Sequence, residues 1–259
     1  MKTLLVSVFS FMLFLHSNAQ IANTCNINFS EFSIGDEHNK RVLELYENVE
    51  VKNLEDGLAQ IKKNANNLNF STEGLGVSQA DIVKIGTEVS ENLAKYNNDI
   101  RNWPDAPIKK TAAYPYISQI LSEVDNLVNI ADFNKKLDII ESQARQGLTC
   151  QDLDIVIATI GVTRSSAYLW EPIELGGYGL FEKKFGKIEE GLASRKSLRD
   201  LVAGVIVGDA SALSASFLAM SAMLAIGLST PGLNVAILTG LAIDAAIGSA
   251  CGGFMGWFS

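Results

Sequence analysis

The C-terminal part of the chain is almost free of charge. From Leu201 to Ser259 it contains no lysine and no arginine, and its acidic residues are Asp209 and Asp244 alone. Small residues recur here at intervals of four, which on a helix places one of them on each turn along a narrow stripe. This ladder consists of Gly232, Ala236, Gly240, Asp244, Gly248, Gly252 and Gly256.

A shorter ladder of the same kind comes before it. Its members are Gly204, Gly208, Ala212 and Ser216, and a turn-forming stretch, Ser229-Thr230-Pro231-Gly232, separates the two ladders. Glycine weakens a helix, so a glycine stripe indicates that backbones approach closely there. Residues 201–259 are therefore predicted to form two apolar helices folded back on each other as a glycine-zipper hairpin.

The N-terminus has the pattern of a secretory signal peptide. Lys2 precedes an apolar stretch from Leu4 to Leu15, and the small residues Ser17 and Ala19 fit the positions before a cleavage site. The apolar stretch is too short to span a bilayer of about 30 Å. Residues 1–19 are predicted to be removed, and the mature protein is expected to be exported to the periplasm, the cell envelope or the exterior.

Three cysteines are too few for a disulfide scaffold. They are Cys25, Cys150 and Cys251, and outside the cytoplasm one pair could form a bridge. Cys25–Cys150 is the preferred pair, because Cys251 lies among glycines and alanines and is expected to be a small buried residue.

Residues 20–170 are predicted to form an all-α body. Apolar residues follow helical spacing from Asp36 to Asn67, and a second helix is signalled by Ser78 with Asp81 and expected to run until Trp103. A third helix is predicted to begin near Pro115, with Val128 facing inward. A fourth is predicted to end at Gly147, and a fifth to begin at Thr149 with Asp152. Residues 171–200 form a glycine-dotted connector that ends in a small basic cluster, Arg195, Lys196 and Arg199.

The sequence gives little support to an enzyme, and we expect no catalytic residue, cofactor or metal. His38 is the one histidine left after export, so any catalytic site that uses histidine would depend on it. It lies in a polar stretch that indicates a solvated helix start, and Asp152 and Asp154 are expected to face water. The net charge of −8, which becomes −9 without Lys2, argues against binding to nucleic acid.

Membrane association is the leading functional hypothesis. The first apolar arm, residues 210–228, has 19 residues and a helical length of about 28 Å. Its six strongly apolar residues favour insertion by about 2–4 kcal/mol. The second arm favours it by about 2.5–5 kcal/mol, which Asp244 nearly cancels at about 2.5–3.5 kcal/mol. Such a balance predicts conditional insertion, with protonation of Asp244 as a hypothetical acid trigger and Arg195, Lys196 and Arg199 at anionic headgroups.

Two alternatives stay open. The hairpin could form homo-oligomers through its glycine stripe, or it could be the buried core of a soluble binding or structural protein, with Asp244 bonded to an internal partner. Aromatic residues near the Gly176-Gly177 pair, which are Tyr168, Trp170, Tyr178 and Phe181, could form a binding surface, although core packing is the more usual role.

The spaced glycines from Gly240 to Gly256 resemble those of bacterial glycine-zipper domains in envelope proteins, which implies a close-packed helical hairpin. The order of helical body, basic stretch and terminal apolar hairpin is similar to pore-forming colicins, which implies a toxin-like role, although the export signal departs from that pattern. The segment Arg164-Ser165-Ser166-Ala167-Tyr168-Leu169-Trp170, with the Gly176-Gly177 pair, resembles uncharacterised exported proteins of Bacteroidota. That last resemblance implies no activity.

Overall fold

The computed structural model describes residues 33–47, 49, 54–70, 78–148, 150–185, 198–224 and 239–250. Within these residues every regular element is a helix, which confirms the all-α prediction. The α-helices are α1 (Ile34–Leu45), α2 (Leu54–Asn66), α3 (Gln79–Ala94), α4 (Tyr114–Asp125), α5 (Ile130–Gly147), α6 (Cys150–Trp170), α7 (Leu180–Phe185), α8 (Leu198–Leu224) and α9 (residues 239–250). Short 3₁₀ helices span Pro107–Lys110 and Ile173–Leu175.

Several helix ends lie where the sequence signals place them. Ser78 and Asp81 form a complete capping box, in which each side chain bonds to the other residue's backbone. Pro115 occupies the first turn of α4, and α5 ends at Gly147. These helix ends could be predicted from the sequence because capping chemistry is local and needs no tertiary partner.

The single helix predicted over Asp36–Asn67 is wrong, because α1 ends at Leu45 and α2 starts again at Leu54. The side-chain amide of Asn64 donates to the backbone carbonyls of Leu45 (2.8 Å) and Glu47 (3.0 Å). A residue of α2 thus satisfies carbonyls that the end of α1 leaves open. This contact comes from the tertiary fold and has no sequence signal near Leu45.

Two smaller expectations also fail. The helix expected to run to Trp103 ends at Ala94, and Asn97 and Asn98 follow in the left-handed region with φ of 56° and 57°. Asparagine tolerates that conformation better than most residues, so the pair ends the helix without glycine. Val128, expected to face inward, is 67% exposed because α4 has already ended at Asp125.

The apolar helix α8 lies at the centre of the described fold. It packs against α3, α4, α6 and the 3₁₀ helix Pro107–Lys110, while α1 packs on α6. Residues 205–217 of α8 and all of α9 are buried, and they share one hydrophobic core with the surrounding helices. We call α1, α3, α4 and α6 the helical shell. The C-terminal apolar region and the predicted body therefore pack together.

Candidate functional site

Small residues allow close contact between the two apolar helices. A Cβ atom placed on Gly248 of α9 would lie 2.6 Å from the Cβ of Ala212 on α8, closer than real side chains come. Ala212 and Gly248 are members of the two predicted ladders. Gly240 is also buried in α9, whereas Gly232, Gly252 and Gly256 lie outside the described residues.

Asp244 lies where α9 meets the shell. A Cβ on Gly86 of α3 would lie 2.5 Å from Oδ1 and 3.0 Å from Cα of Asp244, so the glycine provides the space that this side chain occupies. Burial raises the pKa of the Asp244 carboxyl well above its usual value, opposed in part by the Ser216 hydroxyl and the Gly86 backbone. Burial thus disfavours the charged form of Asp244 in the folded protein.

The prediction that His38 is solvated is wrong, because its side chain is fully buried. It lies one turn after Ile34 and one turn before Val42, and both of these residues are in the core. His38 therefore belongs to the apolar stripe of α1. That spacing of four was the sequence signal that the polar neighbours obscured.

His38 meets two other buried polar residues at the junction of α1, α6 and α8. The Ser166 hydroxyl of α6 donates to Oδ2 of Asp209 on α8, and Nε2 of His38 lies 3.4 Å from the same oxygen. All three side chains are fully buried. We call them the His38–Asp209–Ser166 cluster; sequence analysis did not predict that Asp209 and Ser166 join His38.

The cluster does not have the geometry of a nucleophilic triad. In such a triad the histidine lies between the serine and the carboxylate and accepts the serine proton. Here the carboxylate lies between the serine and the histidine, so the serine proton is directed to Asp209. A cleft of about 320 Å³ in the described structure is lined by other residues, which belong to α1, α2 and the segments that follow these helices and include Arg41, Glu44 and Asn64.

Further polar side chains connect the apolar helices to their surroundings. Ser211 of α8 accepts a hydrogen bond from the Ile100 backbone (3.1 Å), and the Ser214 and Thr159 hydroxyls lie 3.2 Å apart. On α9, the indole of Trp170 donates to the Ser249 hydroxyl at 3.2 Å. The Tyr46 hydroxyl donates to the Ala250 carbonyl at 3.0 Å. Both helices are thus tied to the shell by directional bonds as well as by apolar contact.

The other predicted sites are distributed as follows. Trp170 is fully buried, as core packing requires, whereas Tyr168 and Tyr178 are 50% and 39% exposed. Asp154 was expected to face water, but it is buried because α6 packs against α1, α5 and α8.

Arg199 belongs to the first turn of α8. The predictions for residues 1–32, for Arg195 and Lys196, and for Cys25 and Cys251 fall outside the described residues, and the side chain of Phe181 is not described.

Among the described residues, α8 contains one stretch long and apolar enough to cross a membrane, Asp200–Ala219. It has 20 residues and a mean hydropathy of 1.8, and 78% of its most apolar window is buried inside the protein. The central helix of a soluble protein has the same properties.

Comparison of the chain with protein-family models, curated proteins and solved structures gives no match.

Proposed function

We propose that this protein is exported and acts without catalysis, by conditional association with membranes through its C-terminal apolar helices. The observation that carries the proposal is the position of α8. A helix of membrane-spanning length and composition lies at the centre of the bundle, enclosed by helices whose outer faces are polar. Such an arrangement keeps an insertion-competent segment soluble until the shell opens.

The energetics of α8 support conditional rather than spontaneous insertion. Between Leu201 and Ala219 it has eight strongly apolar residues, which favour insertion by about 2.5–5 kcal/mol. Asp209, near the middle, costs about 2.5–3.5 kcal/mol when charged. Because these contributions nearly cancel, insertion does not outweigh the burial of α8 in the folded core, and α8 stays inside the shell until the shell opens.

The basic cluster supplies a first contact with the bilayer. Arg195, Lys196 and Arg199 immediately precede the apolar part of α8, and each cation near an anionic surface contributes about 1 kcal/mol. The cluster would thus hold the N-terminal end of α8 at the headgroups.

Flotation of the mature protein with vesicles tests this proposal. Wild type should float with vesicles that contain phosphatidylserine. Replacing Arg195, Lys196 and Arg199 by serine should weaken binding about tenfold or more. The matched control replaces Lys84, Lys135 and Arg145, whose side chains are 73%, 74% and 55% exposed, and should bind like wild type.

Equal weakening by both triple variants would show that only net charge matters and would remove the role of the cluster. If wild type floats at neither neutral nor acidic pH, the result would contradict the proposed function.

A second candidate is a soluble exported binding or structural protein that uses α8 and α9 only as its core. The hydrogen bonds of Ser211, Ser214 and Ser249 to surrounding residues favour it, because a helix made only for insertion would not need them. It predicts no flotation under any condition in which the protein stays folded.

A further inference from the structure

The hydrogen bonds around His38 define which ring nitrogen carries a proton. The amide nitrogen of Asn39 donates to the Ser165 carbonyl at 2.9 Å, so its amide oxygen is the atom that faces His38. That oxygen lies 3.0 Å from Nδ1 of His38, and an amide oxygen can only accept. Nδ1 is therefore the donor, and Nε2 is the nitrogen that faces Asp209.

This arrangement leaves one proton to be shared between Nε2 and Asp209. With no proton on either group, two acceptors 3.4 Å apart would repel each other in a fully buried site. With one proton, the pair is an imidazolium with a carboxylate, or an imidazole with a carboxylic acid, and both forms have zero net charge. With two protons, the site is a buried cation whose proton on Nε2 faces a protonated acid.

We propose that the His38–Asp209–Ser166 cluster is an acid-sensitive latch that holds α8 inside the helical shell. At neutral pH the one-proton state joins α1 to α8, while Ser166 joins α6 to the same carboxyl. Acidification adds the second proton, and the resulting buried positive charge separates α1 from α8. The latch itself follows from the fold alone. Its role as the trigger for membrane association rests on the proposed function.

The charged groups on neighbouring elements are engaged elsewhere. Arg41 of α1 is bonded to Glu37 and Glu44, and Arg164 of α6 is bonded to Asp138 of α5. Asp154 and Glu171 lie near the opposite ends of α6.

The helices α3 and α4 direct uncharged residues at the core, and Asp244 of α9 packs on Gly86 of α3. The buried face of α3 comprises Ile82, Val83, Gly86, Val89, Ser90 and Leu93, and that of α4 comprises Ile117, Ile120, Leu121 and Val124.

Hydrogen exchange of the α8 amides, followed by mass spectrometry on the mature protein in solution and corrected for intrinsic rates, tests the latch. In wild type, at pH values above the opening midpoint, the open fraction should rise by up to about tenfold for each unit by which the pH falls. His38→Gln should reverse the sign of this pH dependence. Asp209 then lacks its cationic partner, and acid stabilises the closed state by protonating Asp209. Asp209→Asn should make α8 open at a higher pH than in wild type, because a proton on His38 then has no counter-charge beside it.

Two further variants complete the test. The double variant His38→Gln/Asp209→Asn keeps a neutral hydrogen-bonding pair, and its opening should lose this pH dependence even if a single variant fails to fold. Asp244→Asn, which removes a buried carboxyl outside the cluster, should still open on acidification, and at least as steeply as wild type, because the raised pKa of Asp244 favours the closed state as the pH falls. A double variant that opens with the same pH dependence as wild type would overturn the latch. Acid opening of α8 without vesicle flotation would leave the latch standing and overturn the proposed function alone.

Discussion

At the scale of single residues, glycine has different roles along the two apolar helices. Gly248 has Ala212 directly against it, whereas nothing lies within 4 Å of a Cβ placed on Gly204, which is on the exposed side of α8. One glycine is required by packing and the other only weakens its helix. The ladder pattern in the sequence does not distinguish them, because spacing shows which residues share a stripe but not what faces the stripe.

Gly248→Leu should therefore destabilise the protein by at least about 2 kcal/mol, because the larger side chain forces α8 and α9 apart. Gly204→Ala should stabilise it by about 0.5–1 kcal/mol through better helix propensity. Urea unfolding of both variants gives the comparison. Equal effects would mean that the contact between Gly248 and Ala212 is absent in solution.

Asp244→Asn should change how stability depends on pH. In wild type the folded-state pKa of Asp244 is raised, so the folded protein binds more protons than the unfolded chain above about pH 4, the ordinary aspartate pKa. Stability is thus lost as pH rises from that value to the raised pKa, with a slope of up to about 1.4 kcal/mol per pH unit.

The asparagine variant should lose this slope and be more stable than wild type at neutral pH. Urea unfolding across a pH series measures both. An unchanged slope would show that Asp244 is hydrated and ionised in the folded protein.

At the scale of elements, α9 depends on side chains from distant parts of the chain. The Tyr46 hydroxyl, just after α1, bonds to the Ala250 carbonyl, and the Tyr46 ring packs edge-on against Trp170 at 5.7 Å between ring centroids. The apolar pattern of the sequence predicts helices here, and local caps such as Ser78 could also be predicted. The partners of Tyr46 and Asn64 could not, since bonds across such sequence separations leave no local pattern.

Tyr46→Phe keeps the ring contact with Trp170 and removes the hydrogen bond. It should cost about 1–2 kcal/mol, because the buried Ala250 carbonyl loses its donor. Tyr168→Phe, on a side chain that is half exposed, should change stability by less than about 0.5 kcal/mol. Thermal unfolding of the two variants measures both changes in stability. A Tyr46→Phe protein as stable as wild type would show that the Tyr46 hydroxyl does not stabilise the fold.

At the scale of the whole molecule, the helical spacing of apolar residues indicated an all-α chain and composition indicated an unusual apolar C-terminal region. Neither showed where that region lies in the fold. Charge-free helices suit a bilayer and a protein core equally, because both exclude water. The position of α8 becomes visible only when the amphipathic helices are assembled around it. His38 shows the same limit, since its neighbours in sequence are polar while its neighbours in space are buried.

In the proposed function, α8 must leave the shell before it can act on a membrane. The Thr159 and Ser214 hydroxyls lie 3.2 Å apart where α6 meets α8. Cysteines at these two positions, with the disulfide between them verified by mass spectrometry, would join the two helices covalently. Cys25, Cys150 and Cys251 are replaced by alanine in this variant to prevent exchange.

The decisive measurement is the release of a trapped dye from acidified vesicles by this variant, before and after reduction. We expect no release while the disulfide holds α8 in the shell, and release at the wild-type rate once the disulfide is reduced. Equal release by the oxidised and reduced proteins, or no release by either protein or by wild type, would contradict the proposed function.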